Sequence, residues 1–296
     1  MMHATHSDNP ITRESRERFL SRLSIIEMRA RERAEAILDP GSFRELLGPF
    51  DRLESPWLPL QGIVPQSDDG VIIARGQLAG QAAVIMAIEG AFQGGGMGEV
   101  SASKIAAALA LARRDCESGG SILPVLLLET GGVRLQEANL GEAAVAEIHA
   151  EIIALRRHVP VIGVITGMIG CFGGMSIAAG LCSYLVVFTQ ARLELNGPEV
   201  IEQEAGIDEL DAGDKHLIWS LMGGEQRYET GFADALIEDD AQALRQTIQA
   251  LSARGVPTRH RSEKVEEYRR NLATINPESP PDATALRRLW PKGEMP

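Results

Sequence analysis

The chain has 296 residues, of which 44% are hydrophobic and 4% aromatic, so it can bury a sizeable core in one large domain or two small ones. Its net charge of −12 argues against nucleic acid as the main partner, because binding to phosphates requires a basic surface. Cys116, Cys171 and Cys182 form no C-x-x-C pair, so neither a zinc site nor a disulfide framework is predicted. The polar N-terminus has no apolar core followed by a cleavage site, which predicts a cytoplasmic protein without a signal peptide.

The N-terminal part is predicted to be disordered over residues 1–11 and helical over residues 12–38. Asp39-Pro40-Gly41 ends this helix. Seven arginines within residues 13–33 alternate with glutamates, and we interpret them as a solvated helix face rather than an anion site. The predicted buried stripe has apolar residues at spacings of three and four: Phe19, Leu23, Ile26, Ala30, Ala34 and Ile37.

Residues 42–47 are predicted to be a short helix or an extended segment, followed by a proline-rich connection. A hairpin is predicted from residues 71–74 and 82–88, with its turn near Ala79-Gly80. Three glycines at 94–96 indicate either a mobile loop or close approach of the backbone to a ligand. A helix is predicted over residues 101–116, with a solvated lysine, Lys104, near its start.

The central residues 124–184 are interpreted as two copies of one motif, a buried strand followed by a Gly-Gly turn and a helix. The strands are short apolar runs without alternation, which is typical of strands covered on both faces. The turns contain Gly131-Gly132 and Gly173-Gly174. Amide N–H groups at the start of a helix have no intrahelical partner, and the helix dipole adds positive charge there. Two adjacent turns of this kind predict an oxyanion hole.

Three other interpretations of this stretch are possible. The glycines alone are compatible with tight packing and turns. Residues 159–191 carry no charge, but glycines, polar residues and Pro160 interrupt the run, so we predict a strand, a loop, a helix and a strand rather than a membrane span. No G-x-G-x-x-G motif supports a dinucleotide site.

The C-terminal part is predicted to contain helices over residues 199–204, 215–221 and 241–254, with an edge strand within 232–237. The domain is predicted to span residues 12–256. A charged, proline-rich tail with one short helix over 263–272 follows as residues 257–296.

Few side chains are candidates for chemistry. We expect His149 to be structural and Cys171 to be a small buried residue, since no base is recognisable beside it. Glu129 and Glu137 flank the first turn without forming an obvious acid/base pair. No Ser-His-Asp arrangement or P-loop stands out, so the expected chemistry rests on backbone donors rather than on a titrating side chain. No metal site is predicted.

Four segments together resemble the carboxyltransferase domain family of the crotonase-like superfamily, over residues 30–253. They are an opening signature that includes ARER and LDPGSFREL, the glycine loop GGMGE with Lys104-Ile105, the segment ETGGVRLQE and the second turn GCFGGM. The resemblance implies an α/β crotonase-like fold, one carboxyltransferase half with repeated β-β-α units.

Within this family the chain is most similar to the beta subunits of biotin-independent malonate decarboxylases. The resemblance implies that a gamma subunit completes the active site and that malonyl is carried on an acyl carrier protein by a phosphopantetheine-type group. It also implies an acyl carrier protein transferase subunit in the larger complex and no cofactor bound by this chain. The implied oxyanion donors are backbone amides of Gly131, Gly132, Val133, Gly173, Gly174 and Met175, and the implied substrate-binding residues are Gly95, Gly96 and Met97.

Two alternatives stay open. The chain lacks a four-cysteine zinc ribbon, but a carboxyltransferase subunit that moves CO2 to or from biotin shares the motifs. A non-catalytic scaffold that binds an acyl thioester is the third interpretation.

Overall fold

The computed structural model describes residues 22–167 and 169–290. The predicted disordered segment, residues 1–11, and residues 12–21 of the predicted first helix lie outside these ranges. The described chain forms a seven-stranded sheet flanked by helices, which confirms the predicted α/β class. The strands are β1 (Arg44–Leu46), β2 (Val71–Leu78), β3 (Gln81–Ile88), β4 (Leu123–Leu128), β5 (Ile162–Ile165), β6 (Tyr184–Phe188) and β7 (Ala235–Ile237).

The strands lie side by side in the order in which they occur along the chain. β1, β2 and β3 pair antiparallel, and each later pair from β3 to β7 is parallel. The β2–β3 hairpin turns at Ala79 and Gly80, as predicted, and both have positive φ angles of 52° and 79°. Positive φ angles at both central residues are characteristic of a type I′ turn, whose twist matches that of the two flanking strands.

Helices cover both faces of the sheet. All residues of β4 and β5 are buried, and successive strand residues point to opposite faces, so neither face is open to solvent there. The helices are α1 (Ala30–Ile37), α2 (Glu99–Glu117), α3 (Leu140–Leu155), α4 (Gly174–Leu181), α5 (Pro198–Ala205), α6 (Lys215–Met222), α7 (Gly224–Glu229), α8 (Ala241–Ala253), α9 (Val265–Leu272) and α10 (Ala283–Leu289). α1 packs against α8, and α2 packs against α3, which in turn packs against α4.

The parallel strands bring three glycine-rich segments to one edge of the sheet. Residues 94–98 follow β3, Gly131-Gly132 follows β4 and Gly173-Gly174 follows β5. The carboxyl ends of β3, β4 and β5 lie at the same edge because these strands are parallel. Open α/β sheets bind their ligands at this edge.

Within the uncharged residues 159–191, the described part of the chain forms β5, α4 and β6 with loops between them, as predicted. In the ranges that the structure describes, no helix combines the length and the apolar character needed to cross a bilayer.

The predicted first helix is wrong over residues 22–29, since α1 begins only at Ala30. The preceding chain is held in a non-helical path by Asp239, whose Oδ1 accepts hydrogen bonds from the N–H groups of Ile25 (2.8 Å) and Ile26 (3.1 Å). A contact across more than 200 residues therefore overrides a local pattern that favours helix.

Two basic side chains that were predicted to be solvated are buried. Arg33 forms an ion pair with Glu129 inside the protein. Lys104 donates from Nζ to the carbonyl oxygens of Asp68 (2.7 Å) and Val71 (2.6 Å). Burial lowers the pKa of Lys104. Neither residue belongs to a solvated helix face.

The C-terminal region contains two helices that the sequence pattern did not predict, α7 and α10. Phe232 anchors the tail, because its ring stacks on Tyr268 at 5.3 Å between centroids and lies 6.4 Å from the Trp290 ring. The described part of the tail, up to Trp290, therefore packs back on the domain. The domain boundary at residue 256 stays a prediction.

Candidate active site

The two predicted glycine turns meet at the end of the sheet. The N–H of Thr130 donates to Gly170 O (2.8 Å), and the N–H of Phe172 donates to Thr130 O (3.0 Å). These bonds continue the pairing of β4 and β5 beyond the strands. A β-carbon placed on Gly173 would lie 3.1 Å from Gly132 Cα and 3.9 Å from Val133 N. The turns therefore touch, and their backbones face each other without side chains between them.

Two of the three predicted amides in the first turn are already engaged. Gly131 N–H donates to Gly94 O (2.9 Å), and Gly132 N–H donates to Thr130 Oγ1 (3.1 Å). The N–H of Val133 has no acceptor among the residues that the structure describes. This amide is therefore the candidate donor of the first turn.

The first Gly-Gly turn does not open a helix, which corrects the prediction. A 3₁₀ turn at Leu135–Glu137 follows it, and α3 begins only at Leu140. Ala138, with a φ angle of 52°, redirects the chain between the two. The helix dipole invoked for both turns consequently acts at the second turn alone.

The second turn opens α4 directly. Gly173 N–H donates to Leu195 O (2.7 Å), so this predicted donor is also engaged. Gly174 and Met175 are the first two residues of α4, and within the described chain their N–H groups have no acceptor. The positive end of the helix dipole lies at these amides. Gly173 has a φ angle of 61° and a ψ angle of −150°, a conformation that is essentially restricted to glycine.

The predicted donor set thus divides evenly. Gly131, Gly132 and Gly173 shape the turns, while the amides of Val133, Gly174 and Met175 are available to an anion. Backbone donors of this kind stabilise an oxygen atom on which negative charge develops during a reaction.

The glycine loop after β3 packs against the first turn. Gly95 has no room for a side chain, since its β-carbon would lie 2.0 Å from Glu129 O. Met97 is fully buried; its N–H donates to Gly132 O, and its carbonyl accepts from Arg134 N–H, both at 2.9 Å. Gly96 is partly exposed. The structure brings these three predicted substrate-binding residues next to the first turn, and direct substrate contact stays a prediction.

A buried ion cluster lies on one side of the first turn. Arg134 Nη1 contacts Asp69 Oδ1 and Glu137 Oε1, both at 2.9 Å, and all three side chains are almost inaccessible. Glu137 also accepts from Ser55 Oγ and from the N–H of Glu99, both at 2.7 Å. Glu137 is therefore committed to holding the loop and α2 in place.

A second buried ion pair lies on the other side. Arg33 and Glu129 form it, and Glu129 also accepts from the N–H of Ile169 at 3.3 Å. Glu129 immediately precedes Thr130, so the first turn is fixed at both ends. The sequence pattern did not indicate this pairing, because the two residues are 96 positions apart.

Two further side chains lie near the second turn. Cys171 is fully buried, as predicted, and burial raises the pKa of its thiol. His149 on α3 lies with Nε2 at 2.7 Å from the carbonyl oxygen of Gly174. Among the described residues, no group of three or more His, Cys, Asp or Glu side chains is arranged to hold a metal ion.

Residues 27–291 match the carboxyl transferase domain family. The chain belongs to this family. It is 39% identical over 257 residues to the malonyl-S-ACP:biotin-protein carboxyltransferase MADC of Malonomonas rubra, a match that covers 83% of this chain and 79% of that protein.

Two solved structures share the fold of this chain. A chain of a Pseudomonas malonate decarboxylase hetero-tetramer in complex with malonate is 58% identical, with a TM-score of 0.91, and the match covers 93% of this chain and 99% of that chain. The transcarboxylase 12S structure shares the fold at 24% identity and a TM-score of 0.64 over 81% of this chain and 44% of that one.

Exposed apolar side chains occur on the segments that adjoin the two glycine turns of this carboxyltransferase domain. Leu135 is 83% exposed, Leu195 51% and Ile177 48%. A groove of about 350 Å³ runs beside α4 and includes Ile177 and Leu195. Exposed apolar surface of this kind is typical of a site that a binding partner covers.

Proposed function

We propose that this chain is the beta subunit of a malonate decarboxylase, an enzyme subunit that releases CO2 from malonyl held as a thioester on an acyl carrier protein. The observation that carries the proposal is the contact between the two glycine turns, in which the amides of Val133, Gly174 and Met175 have no acceptor within the described chain. We propose that these three amides line one pocket, the amide pocket. The 58% identity to a chain of the Pseudomonas decarboxylase supports the substrate.

The proposed reaction breaks the bond between the α-carbon and the carboxylate of the malonyl group. The electron pair of that bond moves into an enolate as CO2 leaves, so negative charge develops on the thioester oxygen. The α-carbon then takes up a proton from water, which gives the acetyl thioester. The Val133 amide and the amides that open α4 would stabilise the enolate oxygen. One such donor is typically worth about 10²–10³ in rate.

We propose that a gamma subunit covers the pocket. The exposed apolar side chains of Leu135, Ile177 and Leu195 support this, because a partner would bury them around the two turns. The departing carboxylate would contact the partner. The carrier protein would deliver the thioester on its phosphopantetheine-type arm, and an acyl carrier protein transferase subunit would belong to the larger complex. The reaction requires no cofactor bound by this chain.

A second function is carboxyl transfer from the malonyl carrier to a biotin protein. The 39% identity to the Malonomonas rubra carboxyltransferase favours it. Both reactions form the same enolate, so the amide pocket does not distinguish them. The two reactions differ in the fate of the CO2, which is either released or transferred to biotin. A third candidate, a non-catalytic scaffold, would associate with the partner without depending on the pocket.

The test mixes this chain with its gamma partner and malonyl-carrier protein, without ATP or biotin, and measures CO2 release. Release that requires both chains supports the decarboxylase. Release or transfer only after addition of a biotin protein assigns the carboxyltransferase. Association of the chains without any reaction contradicts both enzymatic proposals.

A variant at Gly132 links the activity to the pocket. The space in front of a β-carbon at Gly132 is open, whereas one at Gly174 would meet Val145 Cγ1 at 2.9 Å, so Gly132 is the better probe. A side chain is disfavoured at the φ angle of 126° that Gly132 adopts. A substitution there should therefore shift the adjacent Val133 amide. We expect Gly132→Ala to assemble but to lose most of its turnover. Wild-type turnover in an assembled Gly132→Ala complex would contradict the proposal.

A further inference from the structure

The second glycine turn carries a side-chain contact that the proposed reaction does not yet use. His149 Nε2 lies 2.7 Å from Gly174 O. A carbonyl oxygen only accepts hydrogen bonds, so Nε2 carries the hydrogen in this contact. The bond reaches from the middle of α3 to the first residue of α4.

The accepting carbonyl belongs to the same peptide unit as the N–H of Met175. A donor on the carbonyl side of a peptide group polarises the group and strengthens its N–H as a donor, because hydrogen bonds in series reinforce one another. The same bond fixes the orientation of the peptide plane. The Met175 N–H lies at the start of α4 and has no acceptor among the described residues.

We propose that His149 is a positioning residue that orients and polarises the Gly174–Met175 peptide toward the enolate oxygen. This inference rests on the proposed function and assigns a role to a histidine that the sequence pattern marked only as structural. His149 acts through the backbone and does not contact the substrate. Its contribution is made in the transition state, where the oxygen is most negative, and therefore belongs to kcat rather than to KM.

The kinetic test compares His149→Leu, which removes the donor, with His149→Gln, which retains an N–H donor at a similar reach. His158→Leu is the control, since His158 is exposed beyond the end of the same helix. In the assembled complex with malonyl-carrier protein, we expect His149→Leu to lower kcat about tenfold, the effect of losing one hydrogen bond, with an unchanged KM. His149→Gln should restore most of kcat, and the control should match the wild type.

Three results would overturn the inference: an unchanged kcat in His149→Leu, a loss confined to KM, or a glutamine variant as slow as the leucine variant. If the wild-type complex transfers carboxyl only to a biotin protein, the proposed decarboxylase fails separately. The same variants are then compared in that transfer reaction, which forms the same enolate.

A spectroscopic readout is independent of turnover. The chain has nine methionines, so ¹⁵N-methionine labelling gives a small set of amide signals, and Met175→Leu identifies that of Met175. We expect the Met175 amide signal to move in His149→Leu and to return toward its wild-type position in His149→Gln. A Met175 signal that is the same in all three proteins contradicts the polarising contact.

Discussion

The α-carbon of Gly132 lies 3.1 Å from the point that a β-carbon on Gly173 would occupy. The two turns of the amide pocket are thus in direct backbone contact, and the absence of a side chain at Gly173 sets their separation. We expect Gly173→Ala to push the turns apart and to lower turnover by about a hundredfold or more, since donors must be positioned closely to act. An alanine in the backbone conformation of Gly173 would add strain of about 1–3 kcal/mol.

The control for Gly173→Ala is Gly180→Ala in the same helix. A β-carbon at Gly180 meets no atom within 4 Å. Alanine is favoured over glycine within a helix by roughly 0.5–1 kcal/mol, so this variant should be as stable as the wild type or more stable, with normal activity. Thermal unfolding and CO2 release measure both variants. Equal activity of Gly173→Ala and Gly180→Ala would show that the contact between the turns is unimportant.

Gly174 is predicted to be constrained by packing against α3. A β-carbon there would lie 2.9 Å from Val145 Cγ1. We expect Gly174→Ala to destabilise the chain by about 1–3 kcal/mol, the usual cost of overpacking. Val145→Ala creates the missing space, so the double variant should be less damaged than the sum of the single changes predicts. Strict additivity in urea unfolding would exclude a direct clash.

The buried ion pair of Arg33 and Glu129 gives a prediction about stability. Removal of one partner leaves a buried charge, so Glu129→Leu should lower the free energy of unfolding by about 3–5 kcal/mol. Arg33→Met combined with Glu129→Leu removes both charges and should be less destabilised than Glu129→Leu alone. Urea unfolding checks the order of the wild type, Glu129→Leu and the double variant, and a double variant less stable than Glu129→Leu would contradict it.

The exposed pair of Arg75 and Asp115 is the matched control for that prediction. Its side chains are 49% and 46% exposed, whereas those of Arg33 and Glu129 are 6% and 3% exposed. Surface pairs contribute about 0–1 kcal/mol, so Asp115→Leu should change the urea midpoint little.

The lowered pKa of His260 predicts that the stability of the protein depends on pH. Burial, reinforced by the nearby charge of Arg156, lowers the pKa of His260 below its usual value of 6.5. The unfolded chain therefore binds a proton more readily than the folded chain. Stability should rise with pH up to about 6.5, with a slope of at most about 1.4 kcal/mol per pH unit from this residue.

The comparison protein is His260→Gln, which keeps every other titrating group. Its unfolding free energy should depend less on pH between the lowered pKa and 6.5 than that of the wild type. Urea unfolding at several pH values measures the difference. Parallel curves for the two proteins over this window would contradict the assignment.

The sequence predicted the strands and turns of the amide pocket because their signals are local. Short apolar runs marked β4 and β5, and the Gly-Gly pairs marked the positions where each strand ends. The start of α4 at Gly174 follows from the same pattern. The family resemblance added the chemical interpretation, since glycine turns alone are equally compatible with packing.

The sequence did not predict contacts between distant positions. Arg33 lies in an arginine-rich stretch that favours a solvated helix face, and only the fold brings it to Glu129. The late start of α1 has the same cause, because Asp239 binds the N–H groups of Ile25 and Ile26. The selection of Val133 over its glycine neighbours depends on Gly94 and Thr130 as acceptors, which no local pattern indicates.

The strand order of the sheet has a consequence for how the protein is made. Each strand pairs with the one synthesised just before it, so the sheet can grow along one edge as the chain leaves the ribosome, and no strand has to insert between two others. The amide pocket is completed late in this sequence. The N–H of Thr130 needs Gly170 as its acceptor, and the N–H of Gly173 needs Leu195, so the two turns are fixed only after the strands up to β6 have been synthesised.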